Sequence, residues 1–383
     1  MTTKYLRVGY DLTAIWRRQT GIFRYATEVA RHLLQLQQSM PAIRYVFFFA
    51  REIHPIFVPL QHSFETVICP TRNELLIKQV WFPAILPRLQ LNIMHYPAFP
   101  PPYIQLSSPY TIMTFHDAGP WRYAKALTLH GRLYFRTLLA RGFNTCSRVI
   151  TVSEHAKAEV KHFLGAGYPS PMVVIPEAAR PEFAVACSDA FKREVRKRYR
   201  LPERYFLNVS TVEPRKNLVT LLDAYKLLKQ QLGSACPPLI IIGRKGWSCA
   251  DILGYMAELE GLVHFPGYVS DEELVALYQM ATSLVFPSLY EGFGLTVLES
   301  MTAGCPVITS HVSSLPEVAG DAGLLIDPLN AQDIAQAMRS VLEDERLRAC
   351  MMVEGQARAA QFSWMRTARM TRDVYLDVCR ANK

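Results

Sequence analysis

No Cys-x-x-Cys pair occurs among the eight cysteines, which stand singly between Cys69 and Cys379. That spacing argues against a zinc ribbon or a disulfide framework and for reduced, mostly buried thiols. No uninterrupted apolar run approaches the roughly 18 residues that a membrane-spanning helix needs. Nor does a charged-then-apolar leader precede the first strand pattern, Tyr5-Leu6-Arg7-Val8-Gly9-Tyr10. Export is therefore not expected, and a cytoplasmic location is. Internal repeats and low-complexity tracts are lacking. No Gly-x-Gly-x-x-Gly follows the first strand, which counts against a dinucleotide oxidoreductase. An Asp-x-Asp at a strand end is missing too, so neither a metal site nor a cofactor is expected.

What is present is an ordinary globular composition on a long chain. At 383 residues, two or three domains are expected. Half the residues are hydrophobic and a fifth are charged, enough for sizeable cores. The net charge of +9 is unevenly placed. Residues 1–178 hold 19 Lys and Arg against 9 Asp and Glu, while residues 179–383 hold 23 against 24. Any anionic partner is thus expected at the first half. Composition alone leaves nucleic acid, anionic lipid and phosphorylated substrates open.

Short apolar runs alternate with helix-patterned segments along the whole chain. Val46-Phe47-Phe48-Phe49, Tyr110-Thr111-Ile112-Met113, Val149-Ile150-Thr151-Val152 and Val173-Val174-Ile175 read as buried strands of the first half. Tyr205-Phe206-Leu207-Asn208-Val209, Leu239-Ile240-Ile241-Ile242, Ser283-Leu284-Val285-Phe286 and Pro306-Val307-Ile308-Thr309 do so for the second. Near-continuous apolar runs suit parallel strands covered on both faces, and the alternation predicts doubly wound α/β sheets with ligands at the strands' carboxyl ends. The predicted division is 1–178, 179–361, and a helical segment 362–383 that packs back on the first domain. The charge run Lys192–Arg198 near this break reads as a solvated helix face. A helix is also expected over Trp121–Arg141, with Arg122, Lys125, Arg132 and Arg136 on one side and Tyr123, Leu127, Tyr134 and Leu138 beside them. It reads either as a core-facing helix with a basic solvent face or as a contact for anionic membrane.

Two strand ends concentrate the chemistry. After Phe286-Pro287 comes Leu289-Tyr290-Glu291-Gly292-Phe293-Gly294-Leu295-Thr296-Val297-Leu298-Glu299, whose glycines let backbone approach a ligand where a helix begins. Glu291 precedes that helix and Glu299 lies inside it, eight residues on, about 12 Å if all of the span were helical. Two contacts along an extended ligand explain the spacing better than an acid/base pair. After Val209 comes Ser210-Thr211-Val212-Glu213-Pro214-Arg215-Lys216-Asn217, with two adjacent cations where such sheets bind phosphates. Both cations are expected to be exposed, so that replacing them leaves the fold intact. In the first half, His116 follows the strand beginning at Tyr110, and Gly21 opens a helix after the first strand. A lone histidine or glycine at such places is more often structural.

Taken together, these residues resemble glycosyltransferase family 4. The resemblance is strong from Phe206 to Pro328, including Pro266-Gly267-Tyr268-Val269, Ser313-Ser314-Leu315-Pro316-Glu317 and Ile326-Asp327-Pro328. In the first half it rests on Gly21, His116-Asp117 and Val152-Ser153-Glu154. The resemblance implies the GT-B fold, two facing Rossmann-like domains with parallel sheets and a cleft between them. It implies that Arg215 and Lys216 hold the diphosphate of a nucleoside-diphosphate sugar and that Glu299 binds the ribose. Glu291 would meet the transferred sugar with the amides of Phe293, Gly294 and Leu295. Tyr268 and Val269 would receive the base, with Ser210 and Thr296 beside the donor. His116 would reach the sugar from the other domain, and Gly21 would lie near the phosphates. Departures are Thr20 in place of a glycine, Thr296 where proline is common, and Glu177-Ala178 in place of Asn-Gly.

The expected reaction is transfer of a hexose to a hydroxyl with the anomeric configuration retained, cationic side chains standing in for a metal. The closest look is to bacterial mannosyltransferases of O-antigen and capsule assembly, so GDP-mannose is the first donor expected and UDP-glucose an alternative. Expected partners are a glycan or polyprenyl-diphosphate-linked acceptor and the inner face of the membrane through the basic first half; nucleic acid is not expected. A sugar-nucleotide epimerase on the same fold, or a catalytically silent nucleotide-sugar-binding partner, are the competing readings.

Overall fold

The computed structural model of the chain describes residues 5–381 apart from 17–20, 40–41, 99, 105–108, 124–128, 166, 168–169 and 260. Two compact units result: unit 1 comprises Met1–Glu177 and Ser363–Lys383, unit 2 Ala178–Phe362.

The sheet of unit 1 contains β1 (Leu6–Asp11), β2 (Ile43–Ala50), β3 (Glu65–Cys69), β4 (Ile93–Tyr96), β5 (Tyr110–Phe115), β6 (Arg148–Thr151) and β7 (Met172–Val174). Their spatial order is 3-2-1-4-5-6-7, every pair parallel. The run Val46–Phe49 is fully buried in the middle of β2, where Phe47 and Phe49 pack against Phe57 and Phe64. Unit 2 repeats the plan with β8 (Phe206–Val209), β9 (Leu239–Ile242), β10 (Val263–Gly267), β11 (Ser283–Phe286), β12 (Val307–Ser310) and β13 (Leu324–Ile326). Its order is 10-9-8-11-12-13, again parallel. Both sheets reverse strand order beside their first strand. The crevice at the carboxyl ends of β1 and β4, and of β8 and β11, is where a doubly wound sheet takes its ligand.

Helices cover both sheets by their apolar stripes. In unit 2, Leu218, Leu221, Leu222, Tyr225 and Leu228 of the helix Leu218–Leu232 share a core cluster with Ile334, Met338 and Val341 of the helix Ala331–Glu343. The charge run Lys192–Arg198 lies in the helix Asp189–Arg198, where Val195 is buried, Arg193 and Lys197 are exposed, Arg196 donates to the Pro202 carbonyl, and Arg198 pairs with Glu194 and Glu273.

Residues 363–381 complete unit 1. Trp364 and Tyr375 of the helix Trp364–Ala381 are buried. Tyr375 Oη lies 2.7 Å from His95 Nδ1, His95 Nε2 2.9 Å from Thr114 Oγ1, and Thr114 Oγ1 3.2 Å from Tyr25 Oη. Burial drives His95 down to about 3, so the ring is neutral and one nitrogen accepts while the other donates. Thr367 Oγ1 donates to the Pro176 carbonyl at 2.8 Å, which fastens the segment after β7 to the same helix.

One expectation needs correcting. Instead of a single helix over Trp121–Arg141, the chain forms a short helix at Gly119–Arg122 and a second at Leu129–Thr145. Gly119-Pro120 opens the first of these, and Arg122 donates to both oxygens of buried Glu159, whose charge needs a partner. Arg122 is therefore committed to an ion pair and not to a shared basic face. Lys125 and Leu127, and the side chains of Arg132, Tyr134 and Arg136, lie outside the described residues. Tyr123 is half-buried and Leu138 buried.

Candidate functional site

The first strand of unit 2 ends in a loop held in place from three directions. Asn208 Nδ2 donates to the Val285 carbonyl of the neighbouring strand at 2.8 Å, while its Oδ1 accepts from Ser210 Oγ at 2.7 Å. Asn217 closes the turn Pro214–Lys216 in the left-handed region (φ 57°), which asparagine tolerates, and its amide donates to the carbonyls of Pro287 and Pro328. Gly243, at the end of β9, completes the support. A Cβ there would sit 1.9 Å from the Ser210 carbonyl oxygen. Gly243→Ala is expected to cost at least about 1–3 kcal/mol of overpacking and to displace Ser210 and Thr211. The check is a thermal melt paired with a nucleotide titration; an unchanged melt would mean that the loop yields freely.

On this support Arg215 and Lys216 converge on Glu291, which lies between β11 and the helix Leu295–Thr302. Lys216 Nζ lies 2.5 Å from Glu291 Oε1, and Arg215 Nη1 3.0 Å from Glu291 Oε2. Arg215 also donates to the Tyr290 carbonyl at 2.9 Å and pairs with Glu213 at 2.8 Å. Ser288 Oγ donates to Glu291 Oε1 at 2.6 Å. The Glu291 main chain is clamped by Ser313 and Ser314, whose hydroxyls donate to its carbonyl at 2.6 and 3.0 Å. Burial opposes the charge on Glu291, but the two cations and the hydrogen bonds from Lys216 and Ser288 outweigh it and hold the carboxyl below its ordinary range. Burial, with Arg215 beside it, lowers Lys216. Glu291 is therefore ionised near neutral pH.

This arrangement revises the expected exposure of the two cations. Lys216 is only 9% exposed and Arg215's side chain 23%, because each is drawn against the carboxylate of Glu291, itself largely shielded, rather than left in solvent. Glu213, Arg215, Lys216 and Glu291 also sum to no net charge, an arithmetic invisible in the sequence.

Glu299 sits in the fifth position of the helix Leu295–Thr302, buried, where its charge acts on Arg180. Gly294 precedes that helix at φ 121° and, as its N-cap residue, makes no side-chain cap to the first amides. Phe293 is buried against Phe362. Tyr268, after β10, is 54% exposed and carries the Arg244 guanidinium 4.1 Å from its ring centre, while Val269 beneath it is buried. Sequence reasoning gave no role to Ser288, Glu213, Asn217 or Arg244. Their one shared signal is position, just past a strand's carboxyl end.

Gly21 and His116 belong to unit 1. Gly21 is exposed and opens the helix Gly21–Ser39; Thr20 lies outside the described residues. His116 follows β5 with 11% of its side chain exposed. Its Nδ1 is 3.0 Å from Glu177 Oε1 and its Nε2 2.7 Å from the Pro97 carbonyl. Among the described residues, no helix is long and apolar enough to cross a membrane.

Residues 20–183 match the family described as Glycosyltransferase Family 4, and residues 191–358 the family described as Glycosyl transferases group 1. O-antigen chain mannosyltransferase B of Escherichia coli is 35% identical over 268 residues, 69% of this chain and 69% of that protein. Serotype-specific mannosyltransferase WbdA of Escherichia coli is 33% identical over 244 residues, 62% of this chain and 30% of that much longer protein. Among solved structures, sucrose-phosphate synthase from Thermosynechococcus elongatus superposes with a TM-score of 0.74 at 20% identity, over 98% of this chain and 100% of that chain. Anabaena Alr3699/HepE in complex with UDP and glucose does so with a TM-score of 0.71 at 16% identity, over 97% and 100%. At such identities the likeness concerns the fold.

Proposed function

The chain belongs to glycosyltransferase family 4, with the GT-B fold, and we propose that it moves mannose from GDP-mannose onto a hydroxyl of a glycan or lipid-linked glycan with retention of configuration. That it is a glycosyltransferase follows from the family. The sugar is suggested by the relatives named mannosyltransferases. The observation that carries the site assignment is the convergence of Arg215 and Lys216 with Glu291 at the strand-order reversal of unit 2.

In this reading a diphosphate competes with Glu291 for the same donors. Arg215 offers a planar fork and Lys216 a point charge, and both stabilise the negative charge that grows as the bond to the sugar breaks. The first amides of the helix Leu295–Thr302 add to this. Because the four-residue cluster is neutral in sum, a bound diphosphate draws the cations away from Glu291, whose carboxylate is then free for a sugar hydroxyl. Glu299 holds the ribose, and Tyr268 and Val269 receive the base. Ser210 borders the phosphates, as Gly21 does from unit 1, and His116 contacts the sugar. No metal enters this scheme. A panel of nucleotide sugars scored by thermal stabilisation tests the donor. Greater stabilisation by UDP-glucose than by GDP-mannose would overturn the choice of sugar nucleotide.

The acceptor's lipid anchor suggests that unit 1 meets the inner face of an anionic membrane. Its residues 1–177 carry the chain's excess of positive charge. Leu75, Leu76, Val80, Tyr103 and Ile104 are also exposed, the last two tied to the first three by the Tyr103 amide donating to Gln79 Oε1 at 3.0 Å. Each cation near the surface contributes about 1 kcal/mol. Co-sedimentation should therefore be strong with anionic vesicles, weaken with salt, and fall in a Val80→Glu/Ile104→Glu variant. Equal binding to neutral vesicles would rule this out.

A further inference from the structure

His116 is largely enclosed by unit 1, with 11% of its side chain exposed, and what surrounds it sets its charge. Nδ1 faces a carboxylate oxygen of Glu177 at 3.0 Å and Nε2 faces the Pro97 carbonyl at 2.7 Å. A backbone carbonyl only accepts, as does an ionised carboxylate. A neutral imidazole has one N–H and one lone pair, so either tautomer would aim its lone pair at an acceptor. With Glu177 ionised, only the doubly protonated ring satisfies both contacts. The ring's remaining surroundings hold it in place. Tyr25, from the helix Gly21–Ser39, meets it edge-on with ring centres 4.8 Å apart, and Tyr25 in turn packs on Trp364. Glu177 is itself buried, and the segment that carries it is fastened by the bond from Thr367 to Pro176. Glu177 and Asp117 at the strand ends, Tyr25 from the first helix and His95 from β4 are the titratable groups set against this ring.

We infer that Glu177 is a positioning residue for the transfer, one that keeps His116 as an imidazolium so that unit 1 contributes a fixed cation toward an anionic donor. The inference rests on the reading of His116 as a donor contact. The electrostatics agree with the geometry. Burial by itself lowers the ring's affinity for its second proton, but the hydrogen bond and charge of Glu177, the Pro97 carbonyl and Asp117 outweigh burial and raise it. His95, the other buried histidine, lacks such a carboxylate and is neutral.

Glu177→Gln is the discriminating variant. Its amide can donate to Nδ1 while Nε2–H still donates to Pro97, so the same contacts then hold a neutral ring. Nitrogen-15 NMR of the full chain should show both ring nitrogens of His116 protonated through pH 7, and only one in Glu177→Gln. A singly protonated ring in the unsubstituted protein would overturn the inference. The second readout is the pH profile of kcat/KM. Glu177→Gln should lose activity on the alkaline side, at least 10-fold at pH 8, and approach the unsubstituted enzyme near pH 6. An equal loss at every pH would mark Glu177 as merely structural and overturn its positioning role. If NMR shows the change of charge while the profile does not move, the pair stands and the reading of His116 as a donor contact fails.

Discussion

Replacing Arg215 and Lys216 together by alanine is expected to abolish transfer and to lower the melting temperature in the same stroke. The catalytic loss follows from the proposed role. Charge-assisted bonds to a diphosphate act most strongly on the departing group, and losing both should cost roughly 10^3-fold or more in turnover. The stability loss follows from the site as it stands. Glu291 is ionised, almost wholly buried, and bonded at 2.5 and 3.0 Å to the two groups removed. Stripping a buried charge of its partners costs about 3–5 kcal/mol, or on the order of 10 °C in a unit of this size. Adding Glu291→Gln to the double variant should restore the melting temperature without restoring transfer. Near-normal turnover at saturating donor would remove the diphosphate assignment, and an unchanged melt would contradict the ion pairs. The same carboxylate sets a pH dependence. Its affinity for a proton is lower folded than unfolded, so its contribution is complete above the ordinary value of about 4.3. That contribution is lost as the pH falls through the depressed folded value.

The two glutamates should fail in opposite ways. On the proposed roles Glu299 holds the ribose, which does not change during reaction. Glu299→Ala should raise the donor's KM more than it lowers kcat, and weaken free nucleoside diphosphate by about 10-fold, the loss of roughly one charge-assisted contact. Glu291→Ala removes a sugar contact near the reacting centre, where orientation matters most, and should lower kcat by about 100-fold. Its effect on the free nucleotide carries the sharper signature. With the carboxylate gone, Arg215 and Lys216 have lost the counter-ion against which a diphosphate competes, so nucleotide affinity should hold or rise. Calorimetry on both variants, beside steady-state kinetics, decides the matter. Lost nucleotide binding in Glu291→Ala with retained binding in Glu299→Ala would reverse the two roles.

The central strands were legible because burial on both faces leaves only apolar runs. Leu239–Ile242 and Ser283–Phe286 form strands with those bounds. The strands that escaped notice lie where that rule weakens. β3 and β10 are edge strands with mostly exposed or half-buried side chains, β4 is four residues long with His95 at its heart, and β13 is three residues long. Contacts distant in sequence left no local mark. His95 meets Tyr375 across 280 positions, and Lys78 of a helical turn supplies the buried counter-charge of Asp11 at the end of β1. In the site, the residue types were readable and their pairing was not. Arg215 and Lys216 looked like free cations because nothing nearby in sequence announces Glu291. Glu177 stood out only as a departure from the family's pattern, and its partner, His116, lies 61 positions earlier.

Unit 1 begins with the first strand and is finished by the last helix, and this imposes an order on synthesis. As the chain leaves the ribosome, β1 to β7 emerge long before Trp364–Ala381, the segment that buries Tyr375 against His95 and Trp364 against Tyr25. Unit 2 is contiguous and can close as soon as Phe362 is out. The usual amino-to-carboxyl sequence of domain folding is thus inverted at its final step. The nascent first sheet waits, with the apolar face of its first helix uncovered, for nearly two hundred residues of translation, and that interval is when chaperones would find the chain.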